Sequence, residues 1–179
     1  MAAHTTTRRA GTVEDDKTEE AMKQMTEQQA LWQLTTLCGS GEHCTHEVKE
    51  KMRKWELTEE VQERLLQHLI NEHYVDDARY ARAYAHDKLE YNRWGPNKIR
   101  QGLYMKRIPA ALITEALSTQ TLDQYVEALR PLLRDKERHL RAATPYERRM
   151  KLMRFAMQRG FTMDAIRECM DTDNIDDDE

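Results

Sequence analysis

Four side chains able to ligate a metal, Cys38, His43, Cys44 and His46, fall within nine residues of one another. A structural zinc site uses such thiolates and imidazoles, but in pairs two to four residues apart drawn from two separate segments. Here all four share one segment around Gly39-Ser40-Gly41. The expectation is a loop between two helices and no metal. His46-Glu47 lacks the second histidine four residues on that a zinc-protease helix requires. Phosphate-cradling GxxxxGK[ST] and GxGxxG strings are absent, as is the GxSxG nucleophile elbow. The chain is therefore expected to carry no catalytic residue and no cofactor, and not to be an enzyme.

Binding chemistry is better represented. Lys98, Arg100, Lys106 and Arg107 load one helix with positive charge, and Arg148, Arg149, Lys151 and Arg154 load another. Clustered cations of this kind suit nucleic-acid phosphates or acidic protein surface, although they also describe an ordinary solvated helix face. Net charge conceals them. Residues 79–159 hold 18 Lys/Arg against 8 Asp/Glu, while the whole chain stands at −4 because the ends are acidic. Trp94 sits at a helix junction, where it either wedges two helices together or anchors a partner. Tyr80 and Tyr84, one turn apart and continuous with Ala81 and Ala85, read as core rather than as a base-stacking platform.

The elements that must position these residues are short helices. The chain has 179 residues, 34% charged and 39% hydrophobic, with two phenylalanines and six glycines. That is poor in strand formers and rich in helix formers. A spacing of about fifty residues recurs. Val48, Met52, Leu57, Val61 and Leu66 are echoed by Ile99, Leu103, Ile108, Leu112 and Leu117, then by Leu152, Ala156, Phe161, Ala165 and Met170. Gaps of four, five, four and five describe two amphipathic helices joined at a tight corner. The corners fall at Glu56-Leu57-Thr58, Arg107-Ile108-Pro109 and Gly160-Phe161-Thr162, with Thr58 and Thr162 as N-caps and Pro109 opening its helix. A longer helix precedes each pair, and Pro131 should kink or restart the third of these.

The fold expected is all-α, an elongated tandem array of three small three-helix repeats at residues 26–75, 76–120 and 121–171. A flexible N-terminal arm (1–25) and a disordered acidic tail (172–179) are expected at the ends. With no long apolar run and no apolar leader, the sequence reads as a cytoplasmic protein, expected to be monomeric and away from membranes.

One stretch is more specific than any of this. Tyr74, Val75, Asp76, Asp77, Arg79, Tyr80 and Ala81 are followed by Trp94-Gly95-Pro96, Lys98, Ile99 and Arg100. Asp76 or Asp77 can N-cap the helix they precede, and Pro96 suits a first helical turn. In order and separation these residues resemble the RecX family, over about Ala30 to Met170. Gly102-Leu103 departs from the basic residue and leucine usual in that family. A glycine there costs about 1 kcal/mol relative to alanine, so that helix is either weak or closely packed. The resemblance implies a tandem three-helix fold and a regulator that binds RecA filaments on single-stranded DNA and restrains recombinase, ATPase and coprotease activity. Partner- or DNA-contacting residues are then expected among Arg79, Trp94, Lys98, Arg100, Lys106, Arg107, Arg148, Arg149, Lys151 and Arg154. Tyr74, Asp76, Asp77, Tyr80, Gly95, Pro96 and Ile99 are expected to hold the motif's shape. A helix-turn-helix transcription factor is the alternative, since three-helix units with a tight corner also build that module.

Overall fold

Most of the described helices start where a side-chain oxygen takes an orphan backbone donor, and several of them stop where the backbone turns left-handed. The computed structural model describes residues 25–172. The arm and tail expected at the two ends lie outside these, apart from Met25 and Thr172. Among the described residues every regular element is a helix: α1 (Glu27–Ser40), α2 (Thr45–Lys54), α3 (Glu59–Asn71), α4 (Asp77–Glu90), α5 (Pro96–Met105), α6 (Ala110–Ser118), α7 (Leu122–Arg138), α8 (Pro145–Gln158) and α9 (Met163–Thr172). Thr26 with Gln29 and Thr121 with Gln124 form capping boxes at α1 and α7, each satisfying two orphan donors reciprocally. Thr58 and Thr162 cap as expected, accepting from the Val61 and Ala165 amides. Pro109 occupies the N-cap of α6 rather than its first turn.

The gap of five in the repeat has a backbone cause. Leu57 N–H donates to the Met52 carbonyl at 3.4 Å, Ile108 to Leu103 at 3.2 Å, and Phe161 to Ala156 at 3.2 Å. The residue before each donor is left-handed: Glu56 at φ 55°, Arg107 at φ 56° and Gly160 at φ 87°. This is a Schellman end, in which the last free carbonyls fold back onto the chain and an apolar pair closes over them. It recurs at the same register in all three units. The fifteen repeat positions are buried, except Leu57, Val61 and Leu112, which are half-buried.

Two points differ from the sequence reading. Gly39 and Ser40 complete α1, so the loop carrying His43 and Cys44 is shorter than expected. Helix α7 runs through Pro131 without restarting. Pro131 is exposed, so the carbonyl it deprives of a partner can turn to water. The apolar interior falls into two clusters. Ala30, Leu34, Val48, Met52 and the Leu65/Leu66/Leu69 face of α3 close around Val75 within the first unit. A larger cluster runs without interruption through the second and third units, from Tyr80 to Met170.

Candidate interaction surface and the joints beneath it

Trp94-Gly95-Pro96 joins the second unit to the third. Gly95 N–H donates to the Arg159 carbonyl at 2.9 Å, and Asn97 N–H to the Gly160 carbonyl at 3.0 Å. The uncapped start of α5 thus meets the end of α8, and each supplies what the other's orphan groups lack. The dipoles run head to tail across the contact. A Cβ on Gly95 would lie 2.2 Å from the Phe161 nitrogen, and one on Gly160 would lie 2.4 Å from the Lys98 Cβ. Both glycines are required by close approach, and Gly160 also by its positive φ. Trp94 is half-buried against the shared core. The Lys88 and Lys98 ammonium groups lie over its ring, 5.2 and 4.5 Å from the centroid.

The first and second units meet differently. Asp76 caps its own helix, accepting from Ala78 and Arg79 N–H at 2.9 Å each, and those bonds, Arg79's foremost, hold its carboxyl below the ordinary range. Asp77 instead reaches back to the first unit and accepts from Thr45 N–H at 2.7 Å, capping α2, whose own N-cap Cys44 gives no side-chain bond. Two adjacent aspartates therefore cap two helices in two units. Arg79 donates to Glu42 at 2.7 Å and to the His73 carbonyl at 3.1 Å, pinning the left-handed end of α3. Glu47 takes Lys106 Nζ at 2.5 Å and the Tyr80 hydroxyl at 3.2 Å, with His43 at 3.1 Å. Burial opposes ionisation of Glu47, yet the Lys106 and His43 contacts outweigh it and hold its pKa below the usual carboxylate range. The same bond to Glu47 raises the Lys106 pKa, against the opposing pull of burial. Cys44 inserts into the second unit's core, its thiol 3.9 Å from the Lys106 carbonyl and pushed up in pKa by burial.

The candidate cations consequently divide. Arg79 and Lys106 are committed to the first joint, and Lys98 to the second. Arg148 faces Glu137 at 3.6 Å, Arg149 faces Asp171 at 3.4 Å, and Lys151 binds Glu147 at 2.6 Å. Arg100, Arg107 and Arg154 are exposed and form no ion pair with a described residue. Tyr80 is buried, Ile99 is fully buried, Pro96 opens α5, and Tyr74 is partly exposed beside the joint. Glu47 was not among the residues singled out from sequence. Its signal is a carboxylate between Cys44 and Val48 on the apolar stripe of α2, where an unpaired charge would be costly.

The family model for the second three-helix domain of RecX matches residues 76–117, and that for the third matches residues 123–170. The two matches together span half of the chain. The chain belongs to the RecX family. Regulatory protein RecX of Clostridium acetobutylicum is 30% identical over 128 residues, covering 69% of this chain and 59% of that protein. Regulatory protein RecX of Bacillus cytotoxicus is 26% identical over 125 residues, covering 70% and 46%. The chain thus spans about half the length of the curated relatives it matches. The crystal structure of RecX from Lactobacillus salivarius shares the fold, with a TM-score of 0.77 at 19% identity over 83% of this chain and 97% of that one. A second RecX crystal structure gives a TM-score of 0.75 at 20% identity, covering 92% of this chain and 81% of its own. The all-α array of three-helix units read from the sequence is the RecX fold. No helix among the described residues is long and apolar enough to cross a membrane.

Proposed function

We propose that this chain is a non-enzymatic cytoplasmic regulator that binds the RecA filament on single-stranded DNA and restrains its recombinase, ATPase and coprotease activities. Membership of the RecX family carries the reading, together with relatives described as regulatory proteins. The fold supports it physically. Units set in series can touch successive protomers of a filament and gain affinity by multiplicity. Arg100, Arg107 and Arg154 supply positive charge that no described carboxylate neutralises, available to acidic filament surface or to DNA phosphates.

RecA's DNA-dependent ATPase, measured with increasing amounts of this chain, should fall, and added salt should weaken the effect. Reversing Arg100, Arg107 and Arg154 to glutamate should weaken filament binding while leaving helicity intact. Unchanged ATPase together with no binding to filaments would overturn the reading. A sequence-specific footprint on duplex DNA without RecA would replace it with the helix-turn-helix transcription factor.

A further inference from the structure

Helix α8 carries an apolar ridge that its own unit leaves largely exposed. Tyr146, Met150, Met153 and Met157 follow one another at four, three and four residues, so they line one stripe of the helix. Tyr146 is 74% exposed, Met150 37% and Met157 55%, while Met153 packs partly against the core. The three methionines with Arg154 and Gln158 line an open groove of about 380 Å³.

The repeat supplies an internal control. At the same register, the second unit has Arg93 just before α5 and Asn97, Arg100 and Tyr104 on it, and the first unit has Glu42 before α2 and His46, Lys49 and Arg53 on it. Two units build their cores with a largely polar stripe at this place, so closing a three-helix unit does not require methionines there. Among the cations beside the ridge, Arg148 and Arg149 already face Glu137 and Asp171, whereas Arg154, which lines the groove, is exposed and forms no ion pair with a described residue. The single carboxylate of α8, Glu147, is held by Lys151 and by the Ala143 amide at 2.7 Å, which leaves the groove with a net positive edge. Methionine side chains are flexible and polarisable, and they recur on surfaces that receive an apolar helix face.

We propose that the Tyr146–Met157 ridge of α8 is a docking surface for an amphipathic helix with acidic flanks, presented by the protein component of the filament. This deepens the RecA reading and rests on it. Residues three and four apart on the incoming helix seat over the methionines, and a flanking carboxylate meets Arg154.

The test compares wild type with Met150→Gln/Met157→Gln, Met150→Leu/Met157→Leu and Arg154→Glu, each checked by thermal melting. Binding is measured to RecA filaments on single-stranded DNA and, separately, to a single-stranded oligothymidylate alone. The glutamine pair should lose at least tenfold in filament affinity without a change in melting. The leucine pair should bind within about threefold of wild type, and Arg154→Glu should weaken binding in a salt-dependent way. If wild type binds filaments and the glutamine pair binds equally well, the docking surface is overturned and the RecA reading stands. If wild type fails to bind, both fall. An equal loss on oligothymidylate alone would mean the ridge meets bases rather than a protein helix. A concentration-dependent dimer that the glutamine pair dissolves would mean it meets a second copy of this chain. Either result overturns the proposal.

Discussion

The first and second units are joined through side chains, the second and third through backbone. Between units one and two the ties are Asp77 to Thr45, Glu47 to Lys106 and Tyr80, and Arg79 to Glu42, with Cys44 the one described residue that crosses into the neighbouring core. Between units two and three the main chains of Gly95 and Gly160 come so close that neither tolerates a Cβ, and one apolar cluster spans both units. Equivalent ends of equivalent helices are used in both places, α2 against α5 and then α5 against α8. A side-chain joint can be adjusted by one substitution, by salt or by pH. A backbone joint is fixed in register, and a substitution there is severe or silent according to the space it meets.

The largest effect is expected at the backbone joint. Gly95→Ala places a methyl against the Phe161 nitrogen and the Gly160 carbonyl, main-chain atoms that cannot rotate away. Overpacking against side chains costs about 1–3 kcal/mol, and occasionally more where the obstacle cannot move. Urea unfolding of this variant should show a loss of about 3 kcal/mol or more. A loss under about 1 kcal/mol would mean that the two units part and close again easily, and the contrast between the joints would dissolve.

Trp94→Ala probes the same joint from its edge. Full burial of such a ring makes its truncation cost about 3–5 kcal/mol. Trp94 is only half-buried and shares its faces with Lys88 and Lys98, so about 2 kcal/mol is expected. The expectation is a wedge with an accessible edge. The melting temperature should fall before filament affinity does. A normal melt with weakened binding would turn it into an anchor.

These two residues also show what a sequence can and cannot disclose. The three-helix repeat was legible because each corner is local. A Schellman end fixes the five-residue gap between Met52 and Leu57, or Leu103 and Ile108, and apolar periodicity marks the helices on either side. Caps at Thr58 and Thr162 are local in the same way. The joints were not legible, because their partners lie far along the chain. Nothing beside Gly95 announces Gly160, and nothing beside Asp77 announces Thr45. The basic residues were legible as charge but not as role. Lys106 and Arg79 look like Arg107 and Arg100 in sequence, and only packing commits the first two to Glu47 and Glu42.

At the side-chain joint the expected effect is smaller and depends on pH. Glu47→Gln removes a charged acceptor shared by Lys106, Tyr80 and His43, at a cost of about 1.5–3 kcal/mol near neutrality. The folded-state pKa of Glu47 lies below its ordinary value of 4.5. Its stabilisation is therefore fully present above pH 4.5 and is lost as pH falls through the folded value. The gap in unfolding free energy between wild type and Glu47→Gln should close on acidification within that window. A gap that does not shrink at all as the protein is acidified from pH 4.5 to its acid unfolding would mean that the carboxylate's charge plays no part in the joint.

The smallest effect lies within one unit and separates side-chain crowding from backbone crowding. A Cβ on Gly102 would lie 2.3 Å from the Tyr84 hydroxyl and 3.1 Å from its Cζ. Helix α5 is therefore closely packed at the glycine that departs from the family pattern, and the side chain opposite explains the departure. Gly102→Ala gains about 1 kcal/mol of helix propensity but pushes a ring that is packed against the shared core and lies under Lys88. The net change should be a loss of about 1 kcal/mol, since overpacking usually exceeds the propensity gain. In a Tyr84→Phe background the hydroxyl is gone and the alanine should be neutral or mildly stabilising. Combining the four unfolding free energies should give a coupling of about 1 kcal/mol, within the range for residues in contact. Tyr84→Phe should do nothing for Gly95→Ala, because there the obstacle is main chain. Rescue at Gly95, or no coupling at Gly102, would erase the distinction between glycines that face a side chain and glycines that face a neighbouring unit's backbone.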